Sequence, residues 1–298
     1  MDFRLKLFTT VAEEKSFSKA ANKLHISQPA VSMQIKTLEE KYGVPLFERS
    51  HRAIKLTKAG EILYHHANKI IYNYAKINQL IEDMYHSAKG TLAIGSGYTF
   101  GEYILPHALA TFKHKFPNIT PKVTIKNSRR IFNQVVRNEI DIGIIESELT
   151  HADVYTKSFF KDEMVIIVPP DHPLSQQRTV EIEDLKQMVW ILRESGSSTR
   201  EFVSREFDRL NIQPKSIIEF GSSQTIKGAV EFGLGISLIS KKTITNELQL
   251  NRLVALNIHN ESLIRNFYYV MNKSQLATKA TNLFVDFIHA LEEEFTFV

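Results

Sequence analysis

The sequence predicts a fold of class α + α/β: an N-terminal winged helix-turn-helix, then a long linker helix, then an α/β region of two lobes. Three observations support this. Short capped helices fill residues 1–58, apolar residues recur at heptad spacing over residues 59–89, and strands alternate with helices over residues 90–298. We expect one lobe at about 90–162 and 266–298 and the other at about 163–265.

Composition excludes several classes of protein. The 298 residues are 43% hydrophobic and 23% charged, which is typical of a globular protein with sizeable cores. The chain has no cysteine, which excludes disulfides, thiolate metal sites and thiol nucleophiles. It also has no apolar run long enough to span a bilayer and no pattern of a secretion signal. We therefore expect a cytoplasmic protein with no membrane partner.

The positive charge is concentrated at the N-terminus. Residues 1–58 hold 11 Lys and Arg against 6 Asp and Glu, whereas the rest of the chain holds 26 against 27. A local basic excess of this kind indicates a polyanionic partner such as nucleic acid.

The first 58 residues predict three helices and a hairpin. Hydroxyl caps are expected at Ser16 and Ser18 for the second helix and at Ser27 for the third, which ends at Gly43. The third helix buries a stripe of Val31, Ile35, Leu38 and Tyr42. A short helix, a turn and a second helix form a helix-turn-helix. Residues 46–49 and 53–56 then form a small hairpin, the wing, with a basic tip.

The outward face of the third helix is suited to reading DNA. In a helix-turn-helix, the N-terminal residues of the second helix reach base edges in the major groove. Gln28 and Ser32 supply hydrogen bonds there, and Pro29 or Met33 can touch a thymine methyl group. The alternative is a three-helix packing unit that binds no DNA. The predicted DNA-contacting residues are Ser16, Ser18, Ser27, Gln28, Pro29, Ser32, Met33, Lys36, Arg49 and Arg52.

Residues 59–89 predict one long helix with a dimerisation seam. The apolar residues follow intervals of four and three, which is the a/d pattern of a coiled coil. The alternative is a surface helix that packs on its own domain. The seam consists of Leu63, Ala67, Ile70, Tyr74, Ile77, Ile81 and Met84.

From residue 90 the pattern alternates between strand and helix, which predicts parallel sheets covered by helices. We expect strands at residues 91–95, 122–126, 141–146, 164–169, 188–192 and 217–220. The last helix, at 280–294, is expected to return to the first lobe.

Several motifs resemble the LysR-type family of transcriptional regulators. The helix-turn-helix signature is Ser16-Phe17-Ser18-Lys19-Ala20-Ala21, Leu24-His25-Ile26-Ser27-Gln28-Pro29-Ala30-Val31-Ser32 and Ile35-Lys36-Thr37-Leu38-Glu39. The wing and linker motifs are Leu46-Phe47-Glu48-Arg49, Leu56-Thr57 and Ala59-Gly60. The later motifs are Gly101-Glu102-Tyr103-Ile104-Leu105-Pro106, Asp141-Ile142-Gly143-Ile144-Ile145-Glu146 and Gly233-Leu234-Gly235-Ile236. The resemblance covers essentially the whole chain, although Met33 stands where the family often has Arg.

This resemblance implies a sequence-specific DNA-binding transcriptional regulator. It implies a dimerising linker helix, a periplasmic-binding-protein-like effector domain, and a homodimer or homotetramer. Operator DNA, a small-molecule effector and RNA polymerase are the implied partners. Asn127-Ser128 followed by Ile131 is similar to the subgroup linked to sulfur assimilation or carbon fixation, with Lys126 where that subgroup usually has Gly.

Four turns of the α/β region predict where the effector binds. In each, a strand runs into hydroxyl or amide side chains and then into a helix, whose free N–H groups attract anions. Because ligands gather at the carboxyl ends of strands, we expect a small-anion pocket between the lobes. Ordinary helix capping is the alternative for any one turn. The predicted effector residues are Ser96, Gly97, Tyr98 and Thr99; Asn127 and Ser128; Ser195, Ser197 and Thr199; Gln224 and Thr225; and Glu146 at the end of a strand. Arg193 and Arg200, which flank the third turn, are candidates for supplying charge.

The sequence contains no catalytic or cofactor motif: no phosphate-binding loop, no nucleophile elbow and no metal-ligand set. We therefore predict no enzyme activity, no cofactor and no metal. Two alternatives remain open. One is a two-lobed small-molecule-binding protein or enzyme with a helical extension that binds no DNA. The other is a purely structural oligomerisation protein.

Overall fold

The computed structural model describes residues 3–50, 53–85 and 88–295. The chain divides into two compact units, Met1–Ser87 and Ala88–Val298. In its described part, the N-terminal unit contains α1 (Phe3–Glu14), α2 (Phe17–Leu24), α3 (Gln28–Tyr42), β1 (Phe47–Ser50), β2 (Ala53–Leu56) and α4 (Lys58–Tyr85).

Side-chain caps define the helix-turn-helix. Ser16 accepts a hydrogen bond from the amide of Lys19 and starts α2, and Ser27 accepts one from the amide of Ala30 and starts α3. Gly43 ends α3 in the left-handed conformation, at φ +70°. These caps were predicted, but Ser18 is not one of them, because it lies inside α2.

Helices α1–α3 and the β1–β2 hairpin, together called the head, pack around a single core. Leu7, Phe8, Val31, Ile35 and Leu38 are buried there, and β1 pairs with β2 in an antiparallel hairpin. The predicted wing and the buried face of α3 are confirmed except at one position. Tyr42 is 46% exposed, because it lies in the last turn of α3 beyond the reach of that core.

Helix α4 confirms the predicted long helix and shows two kinds of surface. Its 28 residues span ~42 Å at ~1.5 Å per residue. Near its start, Leu63 and Ala67 pack on the core of the head. Further along, five apolar residues of the heptad pattern are exposed, by 43–74% of their surface: Ile70, Tyr74, Ile77, Ile81 and Met84. The start of the helix therefore packs on its own unit, as the alternative expected, and the dimerisation seam stays a prediction for the exposed part.

The described part of the C-terminal unit alternates strands and helices. Its elements are β3 (Gly90–Ser96), α5 (Tyr98–Tyr103), α6 (Leu105–Lys115), β4 (Ile119–Ile125), α7 (Ser128–Val136), β5 (Ile142–Ile145), β6 (Val154–Val168), β7 (Thr179–Val180), α8 (Ile182–Leu185), β8 (Val189–Arg193), α9 (Ser198–Leu210), β9 (Ser216–Phe220), α10 (Ser223–Glu231), β10 (Ser237–Ser240), α11 (Thr245–Gln249), β11 (Val254–Ile258), β12 (Ile264–Asn272) and α12 (Lys279–Phe295). Short 3-10 helices lie at Pro173–Gln176 and Lys241–Ile244.

Two strands connect the lobes. The first part of β6 pairs with β12, from Val154 to Glu163, and its last part, from Met164 to Val168, pairs with β10 and β11. β6 therefore begins in the first lobe and ends in the second, and β12 brings the chain back. The lobes meet near Asp162 and Arg265, which are paired in this ladder.

The two-lobed α/β fold is confirmed, but the prediction of parallel sheets is only half right. β3 pairs in parallel with β4 and β5, whereas β12 is antiparallel to both β5 and β6. The sequence pattern located only the last part of β6 and missed β7, β10, β11 and β12. The first ten residues of β6 are mostly polar, and β10 is only four residues long, so neither forms the long apolar run that marks a buried strand.

Helices cover both faces of the sheet in each lobe. In the first lobe, Phe100, Phe112 and Phe284 form the core on one face, and α7 supplies Ile131 and Val135 to the other. In the second lobe, Trp190 packs against Phe207 of α9 on one face, and Ile226 and Val230 of α10 pack on the other. Within the described residues, no helix combines the length and apolar character needed to cross a membrane.

Candidate functional site

The outer face of α3 presents side chains away from the core. Gln28, Pro29, Met33 and Lys36 are exposed, and Ser32 beside them is half-buried. The Gln28 Nε2 donates a hydrogen bond to Ser32 Oγ, 3.1 Å away, which orients the amide at the start of the helix. The structure therefore brings these predicted residues onto one accessible surface.

The wing adjoins this helix in sequence and belongs to the same compact unit. Arg49 lies on β1, where its backbone is opposite Ile54 of β2. Arg52, predicted at the tip of the wing, lies outside the described residues. Of the three predicted serines, Ser16 and Ser27 are helix caps, whereas Ser18 is exposed on α2.

In the C-terminal unit, Glu146 joins the first and second predicted turns. Its Oε1 accepts a hydrogen bond from the Thr99 amide at 2.7 Å, and its own amide donates to Ser128 Oγ at 3.1 Å. Gly97 permits this approach, because a Cβ there would lie 2.7 Å from Glu146 Oε1. Ser96 is fully buried and donates to the carbonyl of Gly97.

Arg265 joins the first and third turns across the two lobes. Its Nη2 donates to Thr99 Oγ1 and its Nη1 to Thr199 Oγ1, both at 3.0 Å. Its Nε donates to Asp162 Oδ2 at 2.7 Å. Sequence reasoning missed Arg265, because nothing in the local pattern distinguishes it from the other arginines of the chain.

A cavity of about 330 Å³ lies beside Arg265. We call it the interlobe cavity. Its wall contains the buried residues Glu146, Ser198, Phe202 and Arg265 together with exposed residues of both lobes. The exposed part of the lining is Glu148, Glu201, Arg205 and Ile264, and the half-buried part is Ser147, Leu149, Asn266 and Tyr268.

The third turn leads into a helix with no side-chain cap. Ser197 is the N-cap residue of α9, but its hydroxyl makes no capping hydrogen bond. Within the described residues, the first amides of α9 therefore have no side-chain cap, and Ser197, Ser198 and Thr199 are buried around them. Ser195 is exposed on the outer side of the same turn.

The two candidate arginines beside this turn have partners within the protein. Arg193 forms two hydrogen bonds with Glu194, at 2.7 and 2.9 Å, and its guanidinium lies 5.4 Å from the centre of the Tyr98 ring. Arg200 donates to the carbonyl of Arg193 and to Glu219. The Arg193–Tyr98 contact is a second link between the lobes, because it joins the third turn to the first.

The remaining predicted residues lie at ordinary helix starts. Asn127 Oδ1 accepts from the Arg130 amide at the start of α7. In the fourth turn, Thr225 is hydrogen-bonded to Ser222, and Gln224 is exposed. Neither Gln224 nor Thr225 is among the described residues that line the interlobe cavity. The structure thus brings three of the four predicted turns together.

In the described part of the chain, the histidines, aspartates and glutamates form no group able to hold a metal ion.

Each of the two units matches a known protein family. The family of bacterial regulatory helix-turn-helix proteins of lysR type matches residues 3–61, and the LysR substrate binding domain matches residues 86–292.

Individual relatives match almost end to end. The HTH-type transcriptional regulator CysL of Bacillus subtilis (strain 168) is 36% identical over 281 residues, which cover 94% of each chain. A probable RuBisCO transcriptional regulator of Cyanidioschyzon merolae is 33% identical over 287 residues, 94% of this chain and 95% of the relative. The solved regulatory domain of Synechocystis CcmR, in complex with 2-PG, is 28% identical. It covers 69% of this chain and 98% of that domain with a TM-score of 0.64.

Proposed function

Since the chain belongs to the LysR family of bacterial transcriptional regulators, we propose that a small effector with an anionic group binds at the interlobe cavity and controls how the head engages operator DNA. The chain is a DNA-binding transcriptional regulator with an effector domain, and not an enzyme. LysR regulators bind operator DNA and small-molecule effectors, and they form oligomers.

The observation that carries the proposal is the bridge from Thr99 through Arg265 to Thr199. A guanidinium only donates hydrogen bonds, so each threonine oxygen acts as acceptor and its hydroxyl hydrogen is left to donate elsewhere. Arg265, held between the two threonines, lines the cavity together with Ser198 at the uncapped start of α9, and these donors suit a bound anion. A ligand that prefers one spacing of the lobes shifts the equilibrium between their arrangements.

The head is proposed to read DNA through α3. Gln28 and Ser32 lie at its exposed N-terminal end and would contact base edges, with Pro29 and Met33 as apolar contacts. Lys36, Arg49 and Arg52 would contact phosphates, which position the protein without specifying sequence. The exposed apolar part of α4 would pair two heads and so place two α3 helices on two half-sites. RNA polymerase is the further proposed partner, and the cytoplasm the proposed location.

The relatives suggest which effectors to test first. CysL and a probable RuBisCO transcriptional regulator are similar to this chain over nearly its whole length. We therefore propose that the effector comes from sulfur or carbon metabolism. The 2-PG bound by the CcmR domain is a suitable first probe, followed by small carboxylates, phosphates and sulfate.

The test compares Thr199→Val with Gln224→Ala. Binding of each probe is measured by calorimetry and thermal unfolding, and DNA binding by fluorescence anisotropy on the DNA upstream of the protein's own gene. Thr199→Val removes the acceptor that orients Arg265 at the cavity wall, so probe binding should weaken by about 1.5–3 kcal/mol. Gln224→Ala, in the separate fourth turn, should bind probes like the wild type. Equal effects of the two substitutions would show that the effector does not bind at this cavity.

A further inference from the structure

Three buried charges lie together beside the interlobe cavity. Arg265 forms a hydrogen-bonded ion pair with Asp162 at 2.7 Å, and its Nη1 lies 3.7 Å from Glu146 Oε2. All three residues are at least nine-tenths buried. Two carboxylates and one guanidinium give these three residues a formal charge of −1, and Arg193, which also interacts with Glu146, is paired with its own carboxylate, Glu194.

Arg265 and Glu146 are incompletely satisfied. Of the five N–H groups of the guanidinium, three make hydrogen bonds within the described structure, to Asp162, Thr99 and Thr199. Glu146 Oε1 accepts from the Thr99 amide, whereas Glu146 Oε2 accepts no hydrogen bond from the described residues and has only the 3.7 Å ion pair. The cavity wall therefore offers hydrogen-bond donors from Arg265 and Ser198 and a carboxylate acceptor at Glu146 Oε2.

A ligand that is only an anion can accept hydrogen bonds from Arg265 but conflicts with the Glu146 carboxylate. It would add negative charge beside a buried group that is already negative, and like charges repel more strongly around buried groups than in bulk water. It would also leave Glu146 Oε2 without a donor. A ligand with both an anionic and a cationic group adds no net charge. Its anionic group can bind Arg265, and its cationic group can donate to Glu146 Oε2.

We propose that the effector is dipolar, of the class of small α-amino acids. Its carboxylate would bind Arg265 and the start of α9 at Ser198, and its ammonium group would donate to Glu146 Oε2. The cavity, at about 330 Å³, lies at the small end of the ~300–1,000 Å³ found for ligand sites, which suits a compact metabolite. This inference rests on the proposed effector site and assigns the chemistry of its ligand.

The experiment uses the full chain and matched pairs of probes. Each pair consists of an L-amino acid and the 2-hydroxy acid with the same side chain: serine and glycerate, aspartate and malate, valine and 2-hydroxyisovalerate. The two members differ in the ammonium group alone, so their affinity ratio reports the contact with Glu146. Calorimetry gives the ratio for the wild type, for Glu146→Gln and for the control Glu102→Gln. In Glu146→Gln the side-chain amide oxygen can still accept the hydrogen bond from the Thr99 amide, and Glu102 is an exposed carboxylate outside the cavity lining.

In the wild type, the amino acid of at least one pair should bind at least about tenfold more tightly than its hydroxy acid, which corresponds to about 1.4 kcal/mol. Glu146→Gln should bring that ratio to about one or below, whereas Glu102→Gln should preserve it. Tighter binding of every hydroxy acid, a ratio unchanged by Glu146→Gln, or no binding by any amino acid would each overturn the inference.

The same titrations separate this inference from the proposed function. If 2-PG or the hydroxy acids bind best and Thr199→Val weakens them, the effector site stands and the dipolar ligand is wrong. If Thr199→Val changes no affinity at all, the effector site itself is wrong.

Discussion

Arg265 and Asp162 form a buried ion pair on the two strands that connect the lobes, with Nε and Oδ2 2.7 Å apart. Asp162 is also fixed from the second lobe, because Ser240 Oγ donates to its Oδ1 at 2.6 Å. The pair therefore holds the arginine that contacts Thr99 in one lobe and Thr199 in the other. It links the strands that connect the lobes to the geometry of the interlobe cavity.

Removal of Asp162 should destabilise the C-terminal unit strongly. Asp162→Asn leaves Arg265 buried with only the more distant Glu146 as counter-charge, and breaking a buried pair in this way costs about 3 kcal/mol or more. Urea unfolding followed by circular dichroism measures the loss. The neighbouring pair of Glu163 and Lys241 is also 2.7 Å long but half-exposed, so Glu163→Gln should cost about 1 kcal/mol or less. Similar losses for the two variants would contradict the role given to the buried pair.

The exposed apolar residues of α4 should hold the oligomer together. Ile70 and Ile77 are 50% and 53% exposed within one chain, and the double substitution to Asp would place charges in their contact with a second chain. Analytical ultracentrifugation should show monomers, with much weaker operator binding. Asn78→Asp, next to Ile77 and exposed but outside the heptad pattern, serves as control and should leave the mass unchanged. An unaltered oligomer in the double variant would exclude this part of α4 as the interface.

Gln28 should discriminate between sequences, and Lys36 should not. Gln28→Ala removes a side chain at the exposed start of α3, and we expect a loss of about 1–3 kcal/mol on operator DNA with relaxed preference at one base pair. Lys36→Ala should weaken binding to all sequences. It should also reduce by roughly one the steepness with which the logarithm of the binding constant falls with the logarithm of salt concentration. Anisotropy titrations at several salt concentrations, on operator and scrambled DNA, measure both effects. Equal losses on the two DNAs for Gln28→Ala would show that α3 does not read bases.

The second lobe should lose stability in mild acid through His172. Burial lowers the pKa of His172 below its usual 6.5, against an opposing effect of Asp171, and its Nδ1 accepts a hydrogen bond from the Leu174 amide. Because the folded pKa lies below the unfolded value, the stabilisation is fully present above about pH 6.5 and is lost as the pH falls through the folded pKa. His172→Asn keeps a capping acceptor and removes the titration. Denaturant unfolding from pH 7.5 to 5 should show a smaller decline for this variant than for the wild type, and parallel curves would contradict the assignment.

Much of the head and of the linker was predictable from sequence, for a local reason. Ser16, Ser27 and Gly43 act on amides or backbone angles within a few residues, so their effects are visible in a short stretch of chain. The heptad spacing from Leu63 to Met84 likewise reflects one helix. The same logic located the turns at Thr99 and Thr199, since each begins a helix after a strand.

The interlobe cavity was only partly predictable, because the contacts that shape it join residues far apart in the chain. Arg265 meets Thr99 across 166 positions and Thr199 across 66, and no local pattern records either meeting. Conversely, Gln224 and Thr225 have the composition of the other turns, but α10 holds them in an exposed cap.

The sequence by itself thus determined the winged head, the long helix, the alternation of strands and helices, and the family. Those properties follow from periodicity, capping and motifs that act over a few neighbouring residues. The tertiary structure alone decided that β6 and β12 connect the lobes, that three turns and not four converge, and that Asp162, Arg265 and Glu146 are buried together. The physical reason is that the charge balance of a cavity depends on which distant side chains folding brings out of water into one place.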